Sequence, residues 1–297
     1  MDYKSYLQAE GIRGDLIPKI ELFRAEYEVS DYFGRVVASP EFLYFGTQVL
    51  ENALSALLLG HNILLTGSKA TGKNVLANTL AWILGRPAWD ISFHINTDSQ
   101  SLLGQDTFKN NEVVFRSGPV YQCAQVGGMG ILDEINMAKN DAVAVLHALL
   151  DQRRVLEVPG YDPLKLHPAT RFIATMNFGY AGTRDLNEAL ASRFLILRMP
   201  MISSQNLEKL IRQRQPSLPE ADLKALARLF NDLQQKSRAG EITTRPVDLR
   251  GLLAGLDLIG QGCDIYEAMD MGLTNKSFDE FERQVVSDSI RLHLKGR

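Results

Sequence analysis

Cysteine is scarce: Cys123 and Cys263 are the two in 297 residues, and they lie far apart in the chain. That excludes a disulfide framework and a cysteine-rich metal site, and both read as reduced, semi-buried thiols. His61, His94, His147, His167 and His293 share no metal-binding spacing, and none is assigned to chemistry. Basic charge is not in excess, with 32 Lys and Arg against 35 Asp and Glu and a formal charge of −3. The balance gives no electrostatic reason to expect a nucleic-acid partner. Long apolar runs are missing too; Ala56 to Leu59 and Ile63 to Leu65 are far too short to span a bilayer. The opening Met1-Asp2-Tyr3-Lys4 lacks the basic stretch and apolar core of a signal peptide. The expectation is therefore a cytoplasmic protein with no membrane partner. Internal repeats and low-complexity segments are absent as well.

What is present is a change of pattern along the chain. Residues 1–40 are charged, weakly periodic and punctuated by Pro18 and Ser39-Pro40, which predicts an N-terminal arm with one helix around Ile17 to Glu28. Phe42 to Leu59 reads as an amphipathic helix with Leu43, Val49, Leu50, Ala53, Leu54 and Leu57 on one broad face. Short apolar runs follow at Ile63 to Thr66, Ala88 to Phe93, Gly130 to Asp133, Arg171 to Met176 and Phe194 to Met199. Helical segments at Lys73 to Leu84, Ala138 to Asp151 and Leu186 to Ser192 separate them. Alternating strand and helix signals predict a parallel, doubly wound α/β sheet. After Pro200 every segment reads as helix: Asn206 to Gln213, Glu220 to Arg238, Pro246 to Ile259, Ile265 to Met271 and Phe278 to Leu294. The predicted organisation is an arm over 1–40, an α/β nucleotide-binding domain over 41–200 and an all-helical lid over 201–297.

Gly67-Ser68-Lys69-Ala70-Thr71-Gly72-Lys73-Asn74 follows a short apolar strand and opens a helix. That is the context of a phosphate-binding loop: glycines let the backbone approach phosphates, and N–H groups at the helix start hold the charge. Lys73 is the residue placed to reach the β- and γ-phosphates. The last position departs from the pattern, with Asn74 standing where a Ser or Thr hydroxyl ordinarily ligates Mg²⁺. An amide oxygen is also a hard donor, so Asn74 is expected to bind the metal directly or through a water. The motif without this last position recurs by chance in roughly one chain in ten of this length, so a second half-site has to decide.

Gly130-Ile131-Leu132-Asp133-Glu134 supplies it: an apolar strand ending in two acids. Alternation puts the acids on opposite sides, with Asp133 a Mg²⁺ holder and Glu134 the group that orients the attacking water. Asn177 ends another buried-looking strand, at the carboxyl edge where open α/β sheets bind ligands; the plainer reading is that it only starts a turn. Arg193 lies between a helix and the last strand. It either pairs within its own subunit or reaches a neighbour's γ-phosphate. Arg245, just before a helix of the second domain, is placed to fold over the phosphates from a lid.

Together these residues resemble the AAA+ ATPases, and more closely their MoxR-like branch, which includes activators of nitric oxide reductase and of Rubisco and is related to dynein-type and McrB-type modules. The most specific stretch is Ser101-Leu102-Leu103-Gly104, then Phe115 to Val120, then Gly128 to Ala138 with its Asp-Glu-Ile-Asn run. Asn177 to Thr183 and Leu186 to Phe194 continue the likeness. The resemblance implies a P-loop NTPase fold, a parallel five-stranded sheet flanked by helices with a small all-helical lid, and ATP and Mg²⁺ as cofactors. By it, Gly67 to Asn74 match Walker A, Asp133 and Glu134 Walker B, Asn177 sensor 1, Arg193 the arginine finger and Arg245 sensor 2. Arg184 is a further candidate for a contact in trans. It also implies a homo-oligomeric ring, a hexamer by expectation, acting on a protein client with a von Willebrand factor A-type adaptor.

Thr107 to Phe115 places Lys109-Asn110-Asn111-Glu112 between apolar flanks and predicts a β-hairpin, and Val155 to Leu166 predicts a second. In the resembling family the first projects toward the ring pore or partner; the bland alternative is a hairpin packed on its own subunit. Three other functions compete with the ring ATPase. A nucleotide-dependent switch or scaffold that hydrolyses slowly is motivated by Asn74. A nucleic-acid translocase subunit is disfavoured by the charge balance, and a metabolite kinase by the acid pair and the late helical domain.

Overall fold

A computed structural model describes residues 2–29, 34–36, 39–177 and 186–294, with only the backbone of Asp141. The chain divides into two compact units, one of Met1–Ser68 and Gly72–Met199, the other of Lys69–Thr71 and Pro200–Arg297.

The first unit is built on a parallel five-stranded sheet. Its strands are β1 (Ile63–Thr66), β2 (Ala88–Ser92), β5 (Met129–Asp133), β8 (Arg171–Met176) and β9 (Leu195–Arg198), in the order β2-β5-β8-β1-β9. Between them, β3 (Gly104–Lys109) pairs with β4 (Glu112–Ser117), and β6 (Val155–Leu156) with β7 (Leu164–Lys165), as two small hairpins. The apolar runs read from the sequence are these strands to within a residue or two. Every residue of β1 and β8 is buried, as parallel strands covered on both faces require. Alternation sorts them: Ile63, Leu65, Ile131 and Ile173 join one apolar cluster, while Leu64, Leu132, Phe172 and Ala174 join another on the opposite face.

Helix Lys73–Leu84 follows β1, and Thr47–Leu58 precedes it; both pack on the first face. The expected arm is more structured than its sequence suggests. It forms two helices, Tyr3–Ala9 and Leu16–Glu26, whose Tyr6, Leu7, Leu16, Ile20 and Phe23 are buried in that same cluster. At about 1.5–3 kcal/mol for each fully buried large apolar side chain, this face makes the arm part of the α/β unit. Polar contacts fix its position: Arg24 Nη1 donates to the carbonyls of Trp82 and Ile83 at 3.0 and 2.9 Å, at the end of the helix after β1.

The hairpin β3–β4 turns through Asn110 and Asn111, both at positive φ (53° and 63°), a tight turn that matches strand twist. At its base a Cβ on Gly104 would lie 2.4 Å from the Arg116 carbonyl oxygen, and one on Gly118 2.5 Å from that of Leu102. These two glycines are thus where backbone crosses backbone. Tyr161, between β6 and β7, donates its hydroxyl to Asp106 and packs its ring at a tilt against Phe115 with centroids 4.8 Å apart, which ties the two hairpins together. Phe108 and Val113 remain 74% and 67% exposed near the tip.

The second unit is all helical after Pro200: Ser204–Arg214, Glu220–Ala239, Leu249–Gly260, Ile265–Gly272 and Glu280–Leu294, around Leu207, Leu226, Phe230, Leu256, Met269 and Ile290. Among the described residues no helix is long and apolar enough to cross a membrane, and no cluster of three or more His, Cys, Asp or Glu could hold a metal. Cys123 is fully buried rather than half-buried, because its helix, Pro119–Val126, lies under the sheet's second face; Cys263 is the half-buried one.

Candidate nucleotide site

Strand order brings the candidate residues to one edge. β8 lies between β1 and β5, and all three end at the same level, so the loop after Thr66, the acids after Leu132 and Asn177 after Met176 are neighbours.

The phosphate loop leaves β1 and enters its helix through Gly72, which is left-handed (φ 80°). A Cβ there would be strained by the backbone conformation alone, which is why the position needs glycine; the Tyr44 ring lies in ordinary contact distance, 3.4 Å from where that Cβ would be. Tyr44 is itself a fixed wall. Its carbonyl accepts from the Tyr6 hydroxyl and its N–H donates to Thr79 Oγ1 at 3.2 Å, and burial pushes its phenol up to about 12. The first helix of the N-terminal arm therefore braces the residue that the phosphate loop packs against, a connection the sequence did not reveal.

Lys73 is 7% exposed, and its Nζ donates to the carbonyls of Gly67 and Ser68 at 2.9 and 2.8 Å. Burial lowers its pKa to about 8, against the opposing pull of Asp133 and Glu134. The sign gives a prediction. Phosphate binding needs the ammonium, so affinity for ATP should be nearly flat below pH 8 and fall as pH rises beyond it, by up to about tenfold per unit. Calorimetric titrations at pH 7, 8 and 9 check it, and an affinity unchanged at pH 9 would contradict it.

The acids are held by a residue that sequence reasoning passed over. Thr175, fully buried on β8, donates Oγ1 to Asp133 Oδ1 at 2.5 Å and accepts the Glu134 backbone N–H at 3.0 Å. The signal was available: strand alternation places Thr175 and Asn177 on one side of β8. Asp133 Oδ2 accepts from Asn74 Nδ2 at 2.9 Å. Glu134 is exposed and left-handed (φ 54°), and its Oε1 accepts from Asn177 Nδ2 at 3.0 Å. The Asn177 carbonyl in turn accepts from Asn136 at 3.3 Å.

Lys73, Asn74, Asp133, Glu134 and Asn177 are thus brought together, with Thr175 added. Arg193 is held in a different cluster: Nε donates to the His147 carbonyl at 3.1 Å, Nη1 to that of Ala189, and Nη2 lies 3.8 Å from Asp151. Arg245 belongs to the second unit, exposed, with its guanidinium 5.3 Å from the Phe278 ring centroid and beside Glu282. Arg184 lies outside the described residues.

Asp133 and the Thr175 hydroxyl are hard oxygen groups of the kind Mg²⁺ takes, with the Asn74 amide turned N–H first toward the same carboxylate. The metal would supply charge neutralisation on the phosphate oxygens. Lys73 would hold the β- and γ-phosphates, Asp133 the metal side, and Glu134 with Asn177 the attacking water.

Residues 62–194 match the family model of the AAA domain, dynein-related subfamily. An uncharacterized protein of Staphylococcus haemolyticus is 32% identical over 260 residues, which cover 86% of this chain and 98% of that protein. An uncharacterized protein of Staphylococcus aureus is 32% identical over 252 residues, covering 83% and 95%. The crystal structure of a candidate ATPase from Cytophaga hutchinsonii aligns over 97% of both chains at 17% identity, with a TM-score of 0.49.

Proposed function

Residues 62–194 of this chain form an AAA domain of the dynein-related subfamily, and from that premise we propose that the protein hydrolyses Mg-ATP as one subunit of a homo-oligomeric ring and thereby remodels or activates a protein client. The observation that carries the chemistry is the pairing of Glu134 with Asn177 at 3.0 Å beside an Asp133 held by Thr175. A carboxylate at a sheet's carboxyl edge, oriented by an amide and next to a phosphate loop, is arranged to position water for attack on a γ-phosphate. The ring, a hexamer in this reading, is motivated by Arg193, which bonds to His147 and Ala189 beside Asp151 and not to the groups gathered at the phosphate loop. The MoxR-like assignment rests on the run from Leu102 to Ala138. The client is a protein rather than a nucleic acid, in keeping with the net charge of −3. The exposed Phe108 and Val113 on a braced hairpin are suited to touching it. The von Willebrand factor A-type adaptor enters the proposal through resemblance alone.

Steady-state Mg-ATP turnover measured across protein concentration tests this reading. Specific activity should rise with concentration and level off as rings fill, because each site is completed by a neighbour. A specific activity independent of dilution would remove the ring from the proposal. Tight ATP binding without turnover would instead favour the slow switch, the reading that the Asn74–Asp133 bond supports.

A further inference from the structure

Asn74 is where this chain leaves the phosphate-loop pattern, and its orientation there has a chemical consequence. Its Nδ2, not its Oδ1, faces the acid, donating to Asp133 Oδ2 at 2.9 Å. The second oxygen, Oδ1, already accepts from Thr175 at 2.5 Å. Both carboxylate oxygens are therefore engaged by donors of the protein itself.

A hydroxyl at this position could donate to the carboxylate and still ligate a cation through its oxygen lone pairs, whereas an amide N–H has no lone pair to offer. To ligate, Asn74 must turn its carboxamide over. That gives up the bond to Asp133 and points its carbonyl oxygen at a carboxylate oxygen. The cheaper arrangement keeps the bond until a cation competes for Asp133. Asn74 is also confined: it is the second residue of the helix Lys73–Leu84, so its backbone cannot swing away.

Resting on the Mg-ATP reading, we propose that Asn74 is a latch on Asp133 that competes with the metal, and is not a metal ligand. Asp133 exchanges Asn74 Nδ2 for the hydrated cation, and it does so through water, as suits an ion that dehydrates reluctantly. Loading of the site is thereby tied to the arrival of nucleotide, whose phosphates supply the direct oxygens. Asn74 is a positioning residue in this account, acting through Asp133.

The test uses the full chain and reads metal affinity rather than turnover. Mn²⁺, followed by electron paramagnetic resonance, is titrated into wild type, Asn74→Ala and Asn74→Thr saturated with a non-hydrolysable ATP analogue. Binding of the analogue in EDTA is measured in parallel. Asn74→Ala is expected to bind Mn²⁺ as tightly as wild type or more so, since a competitor has gone. Asn74→Thr is expected to bind about tenfold tighter, because its hydroxyl donates and ligates at once. Analogue affinity in EDTA should be the same for all three, which reports that the loop is folded. A loss of Mn²⁺ affinity of threefold or more in Asn74→Ala, with EDTA binding intact, would make Asn74 a ligand and overturn the latch. Failure of wild type to bind the analogue with or without metal would sink the nucleotide reading itself, and this inference with it.

Discussion

Glu134→Gln is expected to cut Mg-ATP turnover by about 10²–10⁴-fold, the range a positioned general base contributes, while ATP affinity stays within about threefold. The substitution is nearly isosteric, and the new amide oxygen can still accept from Asn177 Nδ2, which now holds the carboxylate at 3.0 Å. What disappears is the negative charge that polarises water. The backbone argues for the same conclusion. Glu134 sits at φ 54°, a conformation that costs a non-glycine residue about 1–3 kcal/mol and survives where surrounding structure imposes it. Here it is imposed by the Thr175 hydroxyl on the Glu134 N–H, so the fold accepts strain to aim this one side chain. Phosphate release and equilibrium nucleotide binding on the same preparations check the split. A variant retaining a tenth or more of wild-type turnover would remove Glu134 from the chemistry. One that loses ATP binding would mean the residue organises the site rather than acts in it.

Much of this site was legible in the sequence because parallel strands buried on both faces write themselves as unbroken apolar runs. Ile63 to Thr66 and Arg171 to Met176 are strands at the residues expected, so the polar groups following them fell at the right edge. What stayed hidden depended on contacts distant in sequence. The helix Tyr3–Ala9 is too short to show a period, and its two buried residues, Tyr6 and Leu7, are adjacent. The signal was its cap, Asp2, whose side chain accepts from the N–H groups of Lys4 and Ser5. The helix expected over Ala138 to Asp151 is two short ones, Asn140–Ala144 and His147–Leu150; Leu146 N–H bonds to the Val143 carbonyl, a tighter turn that interrupts the ladder. Asn74 was visible as a departure, but which end of its amide met Asp133 is a matter of side-chain geometry that no one-dimensional pattern encodes.

Arg193→Ala carries the other large expectation, a loss of about 10³-fold or more in turnover if the residue is an arginine finger. Its present contacts make the result informative. Asp151 is engaged more closely by Arg153, at 2.8 Å, than by Arg193, at 3.8 Å, and the rest of the Arg193 guanidinium bonds to carbonyls. A loose, partly exposed ion pair of this kind contributes under about 1 kcal/mol. Losing it would shift stability slightly and leave the rate per folded site almost unchanged, so a thousandfold effect cannot come from the internal pair. Mixing separates a neighbour's action from a residue's action within its own chain. Arg193→Ala keeps its own Lys73, and Lys73→Ala keeps its own Arg193, so each is expected to be inactive alone. In a ring assembled from both, an Arg193→Ala site next to a Lys73→Ala subunit regains a full set of groups. Turnover that reappears on mixing, and peaks near equal proportions, is the result expected of catalysis shared between subunits. If nothing reappears, although both variants assemble and Arg193→Ala binds ATP, Arg193 serves its own chain, and its bonds to His147 and Ala189 are then what it is there to make.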